Sequence, residues 1–286
     1  MSVTTQLTIA GFGIALDEKV SRAIELLREH EPADGYYVAF SGGKDSQCIL
    51  RLCEEAGVRH DAHYHNTTID PPELVYFIRQ HYPNVEWSKP KHSMMWEIAE
   101  GRPGTPPTRA GRWCCEIFKE GGGEGRTRVI GVRASESPRR RLLWQEVTQN
   151  RNGKDKAVCP IVHWTTDDVW QFIRGRGMPY CKLYDEGFER LGCVGCMLAG
   201  PEQQRREFRR WPNFARNWER AIKRNWERHQ PPNMRRDGKP YYHASFATAE
   251  DFWQWWLSGE RRDDPNREGC MSGLLFTNDD EPEATP

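Results

Sequence analysis

Apolar and polar positions alternate along the chain with two periods, one typical of helices and the other of strands. Between residues 16 and 30, apolar side chains recur three and four positions apart, which predicts an amphipathic helix. Residues 36–40 read YYVAF, an apolar run rich in β-forming residues that predicts a buried strand. Helical spacing resumes at Asp45. This part of the sequence therefore predicts a helix, a strand and a second helix.

The same alternation continues further along the chain. A second strand fits residues 60–68, and the Pro71–Pro72 pair that follows suits a helix start. Residues 127–133 predict another strand, and residues 165–177 predict a capped helix that ends at glycine. Strands that alternate with helices in this way favour an α/β fold, with a parallel sheet covered by helices on both faces.

Changes in composition divide the chain into three regions. We predict an α/β domain with a cysteine set at 1–200, a basic and aromatic helical extension at 201–260, and a flexible tail at 261–286. Glycine- and proline-rich loops at 100–126 surround a short cysteine-bearing segment. The last ten residues, TNDDEPEATP, are acidic, which favours disorder.

Charge and cysteine content narrow the class of protein. Lys+Arg and Asp+Glu both number 41, so net charge draws the chain neither to nucleic acid nor to a membrane, and any attraction must be local. No apolar run is long enough to span a membrane, and the first residues do not have the pattern of a secretory signal. We therefore expect a soluble cytoplasmic protein. In a reducing compartment its nine cysteines favour metal or redox chemistry over disulfides.

A glycine-rich turn links the first predicted strand to the second predicted helix. Its six residues, 41–46, read SGGKDS. Glycines let the backbone approach an anion closely, and the amides at a helix N-terminus point toward it. Lys44 supplies a full positive charge, Ser41 and Ser46 can donate hydroxyl hydrogen bonds, and Asp45 could hold Mg²⁺ or cap the helix. The turn therefore predicts a phosphate site, although its spacing is not that of the Walker motif.

This turn resembles the PP-loop of the N-type ATP pyrophosphatases, and the rest of the chain resembles the branch related to phosphoadenosine-phosphosulfate (PAPS) reductases. The segment GVRASESPRR at 131–140 is similar to a conserved motif of that branch, and so are 159–173 and 178–196. The resemblance implies an adenine-nucleotide alpha-hydrolase-like fold. It also implies that the nucleotide contacts Ser41, Gly42, Gly43, Lys44, Asp45, Ser46, Arg133, Glu136, Ser137 and Arg140.

The nucleotide that the resemblance implies is ATP, with Mg²⁺, or an adenosine phosphosulfate. Lys44, Asp45 and Arg133 are the catalytic candidates in this part of the chain. Reductases of the branch usually carry Asp-Thr-Gly after the second strand, whereas this chain has Asn66, Thr67 and Thr68. This difference bears on which substrate the protein uses and does not change the predicted fold.

Four cysteines form two pairs that are distant in sequence. Cys114 and Cys115 are adjacent, and Cys193 and Cys196 form a C-x-x-C turn that directs both thiolates to one side. Such a set can hold tetrahedral zinc or an iron–sulfur cluster. Assimilatory adenosine-phosphosulfate (APS) reductases and the sulfur-transfer enzyme of DNA phosphorothioation hold a cluster with cysteines. The resemblance therefore implies a 4Fe–4S cluster here, with zinc as the alternative.

A further cysteine lies near the C-terminus. Reductases of this branch attack the sulfate sulfur with a cysteine in Glu-Cys-Gly-x-His, whereas this chain reads Glu268-Gly269-Cys270 and no histidine follows. Cys270 is a candidate nucleophile or sulfur-carrying thiol. Cys48, Cys53, Cys159 and Cys181 are expected to be structural.

Residues 201–240 hold twelve Lys or Arg and five acidic residues, a local excess of seven positive charges. Aromatic residues between 211 and 226 follow helical spacing on one face and are expected to pack on the core. An i, i+4 row of arginines lies on the opposite face: Arg216, Arg220, Arg224 and Arg228. The row is either a solvated helix face or a contact surface for the phosphates of tRNA or DNA.

Three functions remain open at this stage. The first is ATP-dependent sulfur transfer to a nucleic acid or small molecule with release of pyrophosphate, for which a cysteine desulfurase is a natural partner. The second is reduction of APS or PAPS to sulfite with a thiol reductant. The third is a non-catalytic regulator that binds a nucleotide and a cluster. The complete SGGKDS loop and the absence of Glu-Cys-Gly-x-His favour the first.

Overall fold

The computed structural model describes residues 15–101, 104–109, 111–149 and 156–259. The chain divides into two compact units, and each is built from separate segments. Unit 1 comprises 1–65, 72–88 and 123–191, and unit 2 comprises 66–71, 89–122 and 192–286. Both units draw segments from the predicted domain at 1–200, and the three-region division stays a prediction. The acidic tail and Cys270 lie outside the described residues.

The regular elements follow the predicted alternation. The strands are β1 (Tyr36–Ala39), β2 (His60–His65), β3 (Glu86–Ser88), β4 (Arg128–Val129), β5 (Val147–Gln149) and β6 (Lys156–Val158). The helices are α1 (Leu16–Glu29), α2 (Lys44–Ala56), α3 (Pro72–His81), α4 (Met94–Trp96), α5 (Trp113–Phe118), α6 (Pro138–Leu143), α7 (Thr166–Gly175), α8 (Pro201–Arg210), α9 (Pro212–Arg228) and α10 (Ala249–Ser258). A π-helical turn, Glu97–Gly101, continues α4.

The six strands form one sheet in unit 1, in the order β3-β2-β1-β4-β6-β5. Neighbouring strands are parallel except β5, which pairs antiparallel with β6 at one edge. The register places Tyr37 of β1 opposite Asp61 of β2 on one side and Arg128 of β4 on the other. The predicted α/β fold with a parallel sheet is confirmed, and the antiparallel edge strand was not predicted.

Both faces of the central strand β1 are covered. Tyr36, Tyr37 and Val38 are all buried, and successive side chains of a strand point to opposite faces. On one face the Tyr36 hydroxyl donates a 2.8 Å hydrogen bond to the carbonyl of Leu27 in α1. On the other face the Tyr37 ring stacks on the His63 ring at 4.1 Å between centroids. A strand buried on both faces reads as a continuous apolar run, as YYVAF does.

The core of unit 2 is aromatic. Trp218 of α9 and Trp256 of α10 are almost fully buried, with 4.7 Å between their ring centroids, and Phe252 is fully buried beside them. The predicted inward aromatic face of α9 is confirmed, since Ile222 is buried and Trp226 is packed against this core. Large aromatic side chains remove much apolar area from water, which gives unit 2 a core although none of the six strands lies in it.

The four cysteines predicted to be structural are buried in unit 1. Cys48, Cys53 and Cys159 have no exposed surface and Cys181 has 1%. Burial raises the pKa of the Cys48 and Cys53 thiols, so both stay protonated at neutral pH. They act as small apolar side chains. Within the described residues, no helix is long and apolar enough to cross a membrane.

Asp168, which lies in one of the family-like motifs, has a structural role in unit 1. It caps the start of α7, because its carboxylate accepts the Thr165 N–H at 2.7 Å, and it pairs with the Lys19 ammonium of α1 at 2.7 Å. Both side chains are buried. Burial raises the pKa of Asp168, but the hydrogen bonds from Lys19 and Thr165 outweigh it, and the pKa lies below the ordinary 3.8.

Replacing Asp168 with Asn should lower the free energy of unfolding at pH 7 by about 3 kcal/mol, because the buried ion pair with Lys19 is broken. A carboxylate with a lowered folded pKa stabilises the protein above its unfolded pKa and loses that contribution as the pH falls through the folded value. The difference between wild type and Asp168→Asn in urea unfolding should therefore shrink below about pH 4. The exposed neighbour gives the control, Asp167→Asn, and an equal loss there would contradict the assignment.

Candidate nucleotide site and cysteine cavity

The SGGKDS turn follows the central strand β1 and leads directly into α2. Gly42 has φ +73°, and a Cβ there would lie 2.6 Å from the Ile78 side chain of α3. Gly43 is the N-cap of α2 and has no side chain to bond the helix amides. No N-cap side chain therefore bonds the first amides of α2, an arrangement that suits an anion site, although the Lys44 N–H already donates to the Tyr184 hydroxyl.

The two serines of the turn form hydrogen bonds within it. The Ser46 hydroxyl donates to the carbonyl of Gly43 at 2.9 Å and accepts the Ser41 N–H at 3.1 Å. The Gln47 amide donates to the carbonyl of Gly42 at 3.1 Å. These bonds hold the loop in place before any ligand binds, so the site is preorganised.

Lys44 is buried at the first position of α2, with 3% of its surface exposed. Its ammonium lies 3.0 Å from the carbonyl of Glu189 and 3.2 Å from the Asp45 carboxylate. Its backbone N–H donates to the Tyr184 hydroxyl at 2.8 Å. Burial raises the pKa of Tyr184, so its hydroxyl stays protonated.

Arg133, predicted from the resemblance, reaches the turn. Its Nε lies 2.7 Å from the Asp45 carboxylate, and the Arg133 side chain is buried. Gly131 makes this approach possible, because a Cβ there would lie 3.1 Å from the Asp45 backbone. Asp45 therefore holds two cations, Lys44 and Arg133, beside the turn, and the N-cap is Gly43 instead of the carboxylate.

The other motif residues form a small network next to Arg133. Glu136 accepts the Arg133 N–H at 3.2 Å and pairs with the Arg140 guanidinium. The Ser137 hydroxyl caps α6 by accepting the Arg140 N–H at 3.1 Å. These contacts keep the turn at 133–140 rigid, and a nucleotide role for Glu136, Ser137 and Arg140 stays a prediction.

Together these contacts bring a helix N-terminus and two buried cations to one turn, and polyphosphate binding there stays a prediction. The loop contributes backbone amides, and the side chains contribute two positive charges that now share one carboxylate. The sequence indicated the loop and Arg133 but missed Tyr184, Glu189 and Gln47. Tyr184 and Glu189 lie inside the segment 178–196 that resembles the family, which was the available signal. Cys270 lies outside the described residues.

The two cysteine pairs meet in unit 2. Cys114, Cys115, Cys193 and Cys196 line one cavity of about 30 Å³, and each is half-buried. The wall also includes Lys119, Arg112 and Thr67, with apolar side chains such as Met94 and Trp218. The predicted association of the two pairs is therefore observed, although the sequence did not indicate the cations beside them.

Polar groups surround the sulfurs. Arg112 donates to the Cys115 sulfur at 3.2 Å. The pKa of Cys115 is lowered because the Cys114 thiol donates to it and because Lys119 and Arg112 are near, while the same bond raises the pKa of Cys114. Burial raises the pKa of Cys193 to about 12, although Lys119 and the Thr67 hydroxyl oppose this.

The C-x-x-C turn is clamped by α8 and α9. The Glu207 carboxylate accepts the Gly195 N–H at 2.7 Å, and the Gln204 amide donates to the Gly195 carbonyl at 3.1 Å. The Trp218 indole N–H donates to the carbonyl of Val194 at 2.9 Å. Sequence patterns did not indicate that these three side chains bind the C-x-x-C turn, because their partners are backbone atoms of a separate segment.

The residues present fit a metal centre with thiolate ligands. Four cysteines line one cavity, Lys119 and Arg112 line it with them, and the Leu198 N–H donates to the Cys196 sulfur. Amide donors and nearby cations stabilise the negative charge that a thiolate-bound metal centre carries. In the part of the chain that the structure describes, no group of three His, Cys, Asp or Glu side chains is already spaced to hold a metal ion. The identity of the centre is therefore a proposal.

The loop after β2 departs from the family pattern and has a strained backbone. Thr68 has φ +67°, a left-handed conformation that β-branched residues rarely adopt. Its hydroxyl accepts the Met94 N–H at 2.8 Å, and the Asn66 side chain accepts the Thr68 N–H at 2.8 Å. These two bonds hold threonine where the family usually has glycine. Thr67, the middle residue, is buried and lines the cysteine cavity.

Comparison with known proteins identifies the family. Residues 35–199 match the model of the phosphoadenosine phosphosulfate reductase domain, which is more than half of the chain. The chain therefore belongs to the phosphoadenosine phosphosulfate reductase domain family. The matched range contains the SGGKDS turn, the 131–140 motif and all four cysteines of the cavity.

The sequence is also similar to individual proteins from other organisms. The adenosine 5'-phosphosulfate reductase of Staphylococcus haemolyticus is 27% identical over 217 residues, covering 70% of this chain and 87% of that enzyme. An uncharacterized protein of Methanocaldococcus jannaschii is 29% identical, covering 67% of this chain and 42% of that protein. Adenosine 5'-phosphosulfate reductase 2 of Bacillus subtilis is 36% identical over 83 residues, covering 29% of this chain and 35% of that enzyme. The chain thus matches less than half the length of the last two.

Solved structures are similar at a lower level. Phosphoadenylyl-sulfate reductase from Candida auris, in a phosphate complex, has a TM-score of 0.46 and 16% identity, covering 68% of this chain and 97% of that chain. FMN adenylyltransferase from Candida glabrata, in complex with ATP, has a TM-score of 0.42 and 19% identity, covering 63% of this chain and 62% of that chain.

Gly195→Ala should disrupt the cysteine cavity. Gly195 has φ +79°, and a Cβ there would lie 2.6 Å from the Phe208 ring and 2.7 Å from the Trp218 indole nitrogen. Backbone strain and overpacking together should destabilise the protein by about 2–4 kcal/mol in urea unfolding. The matched control is Gly192→Ala, because the nearest atom to its Cβ would be 3.8 Å away. Equal stability of the two variants would show that the turn is not clamped as described.

Proposed function

We propose that this protein is a PP-loop enzyme that uses ATP to activate an acceptor for sulfur transfer and releases pyrophosphate. The preorganised SGGKDS turn, with Lys44 and Arg133 beside it, is the observation that carries the proposal. A triphosphate would lie along the turn, with its oxygens on the amides of α2. The family's PP-loop members that cleave ATP keep the full motif, as this chain does.

The reaction would proceed in two displacements. An oxygen of the acceptor attacks the α-phosphorus of ATP, and the bond to pyrophosphate breaks, so the acceptor becomes adenylated. Sulfide from an external donor then attacks the carbon or phosphorus that bears the adenylated oxygen, and AMP leaves with that oxygen. A cysteine desulfurase is one class of partner that could supply the sulfur. Lys44 and Arg133 would neutralise the charge that develops on the departing pyrophosphate, the main contribution proteins make to such transfers.

Binding of the triphosphate would rearrange the charges at the turn. Asp45 now accepts from both Lys44 and Arg133. Phosphate oxygens compete with this carboxylate for the two cations, which would free Asp45 to hold the Mg²⁺ that accompanies ATP. Tyr184 would keep Lys44 at the start of α2 through the Lys44 N–H.

The metal centre that the cysteine cavity fits best is a 4Fe–4S cluster held by Cys114, Cys115, Cys193 and Cys196, with zinc as the alternative. When bound, such a cluster could hold or deliver sulfur. Lys119 and Arg112 would offset its negative charge, and the clamp on Gly195 would hold two of its ligands in place.

A second candidate is reduction of adenosine phosphosulfate, which the names of the Staphylococcus haemolyticus and Bacillus subtilis relatives favour. In that reaction the Cys270 thiolate would attack the sulfate sulfur and AMP would leave. A thiol reductant would then reduce the resulting S-sulfocysteine and release sulfite. Cys270 lies outside the described residues, so this candidate rests on the relatives and the cysteine set.

ATP incubated with anaerobically purified protein and Mg²⁺ should release pyrophosphate, and Lys44→Ala should lower the rate at least 100-fold. The reason is that one buried cation is lost from the transferred phosphates. Pyrophosphate release is measured with and without bulk tRNA and DNA. An exposed lysine of unit 2 provides the control, Lys89→Ala, which should keep the wild-type rate.

Sulfite formation distinguishes the two candidates. If adenosine phosphosulfate and a thiol donor yield sulfite, and ATP yields no pyrophosphate, the protein is a reductase and Cys270→Ser should abolish the activity. If neither product forms, both catalytic proposals fail.

Iron content tests the cavity. Single Cys→Ser changes at 114, 115, 193 and 196 should each lower bound iron and sulfide, and the visible absorbance of the purified protein, by more than half, because each removes one ligand. Cys53→Ala, at a buried cysteine of unit 1, should keep the full iron content. Stoichiometric zinc without iron in the wild type would instead support the zinc alternative.

A further inference from the structure

The structure divides the arginine row of α9 into two halves with different surroundings. Arg224 lies 2.9 Å from the Glu100 carboxylate and 3.5 Å from Glu227. Arg228 also pairs with Glu100, at 3.5 Å, and donates to the carbonyl of Ala99 at 2.7 Å. The C-terminal half of the row is therefore neutralised by carboxylates and anchored to the π-helical turn.

The N-terminal half of the row is exposed. Arg220 contacts no carboxylate among the described residues, and Arg216 contacts only the neutral side chain of Asn213. The acid between them, Glu219, already pairs with Lys223 at 2.6 Å. Two positive charges thus remain without a carboxylate on this part of α9.

Helix α8 adds two more positive charges of the same kind. Gln204 and Glu207 are buried because they bind the C-x-x-C turn, which orients α8. Arg205 and Arg209 are exposed, and neither contacts a carboxylate within the described ranges. The clamp on the cysteine turn therefore determines which side of α8 faces solvent.

We propose that Arg205, Arg209, Arg216 and Arg220 bind the phosphodiester backbone of a nucleic acid, which would be the acceptor in the proposed sulfur transfer. The chemical identity of that acceptor rests on the proposed function, whereas the binding itself does not. Arginines at i and i+4 lie about 6 Å apart along a helix, and their planar guanidinium groups match phosphate oxygens in two-point contacts.

The surroundings favour backbone contacts over reading of bases. The large aromatic residues of α9, Trp218 and Trp226, lie in or against the core of unit 2 and cannot stack on bases. Arginine contacts to phosphates carry no sequence information, so the binding should be strong in low salt and nearly independent of sequence. Because the net charge of the chain is zero, attraction to nucleic acid must come from local positive charge, and these four exposed arginines provide such charge.

The test is fluorescence anisotropy with a labelled 24-base-pair duplex DNA and with labelled tRNA, from 50 to 300 mM salt and without ATP. The double variants Arg216→Ala/Arg220→Ala and Arg205→Ala/Arg209→Ala should each weaken binding about tenfold at 0.1 M salt. Each should also reduce the slope of log K against log salt by about 1–2, since two phosphate contacts are lost. Comparing the two probes identifies which nucleic acid is preferred.

The matched control removes two charges from the same helix that already have carboxylate partners. Lys223 pairs with Glu219 and Glu250, each at 2.6 Å, and Arg224 pairs with Glu100. Lys223→Ala/Arg224→Ala should therefore leave affinity and salt slope within twofold of wild type. Thermal unfolding of every variant checks that the fold is retained.

Two outcomes would overturn the proposal. One is binding that is absent in the wild type, or that falls equally in the control and the test variants. The other is binding of polyglutamate as tight as that of nucleic acid, because the surface would then be a site for acidic polypeptide. Lys44→Ala should bind both probes as the wild type does, so loss of catalysis and loss of nucleic-acid binding are separate failures.

Discussion

The turn from β1 into α2 depends on one steric constraint: the backbone at Gly42 adopts φ +73° where the side chains of α3 leave no room for a Cβ. This constraint places the first turn of α2 directly after the central strand of the sheet. Gly131, which follows β4, lies close to the backbone of Asp45, because a Cβ there would be 3.1 Å from it. Lys44, Asp45 and Arg133 come together because both glycines lack a side chain.

In unit 2, polar contacts instead of glycine packing position the C-x-x-C turn. Its cysteine turn lies outside helices and strands. The Val194 N–H donates to the Ile69 carbonyl at 2.8 Å, and buried side chains from α8 and α9 bond the Val194 carbonyl and both backbone groups of Gly195. A buried backbone group without a partner would cost about 1–3 kcal/mol, which explains why Gln204 and Glu207 point inward on a helix that is otherwise rich in arginine. The position of the C-x-x-C turn at the cavity and the solvent exposure of Arg205 and Arg209 therefore follow from one packing arrangement.

In α8 and α9, the number of charged residues in the sequence does not show which charges are neutralised in the fold. The sequence of 201–240 carries seven excess positive charges, and the i, i+4 row on α9 looks uniform. In the folded protein, Glu100 forms ion pairs with Arg224 and Arg228, the last two arginines of the row. Glu207 is buried and so does not neutralise surface charge. The same kind of residue is thus an anchor at Arg228 and an exposed cation at Arg220.

Patterns that depend on neighbours in sequence could be predicted: the alternation of helices and strands in unit 1, the glycine turn between β1 and α2, and the inward aromatic face of α9. These follow from local periodicity and from the conformational freedom of glycine. The sequence also indicated that two cysteine pairs would meet, but not what surrounds them. Tyr184 on the Lys44 amide and Glu100 on Arg224 are separated from their partners by 140 and 124 residues, so only the tertiary structure could decide these contacts. Local propensity carries no information about which distant segment satisfies a donor or a charge, because that choice is made by packing.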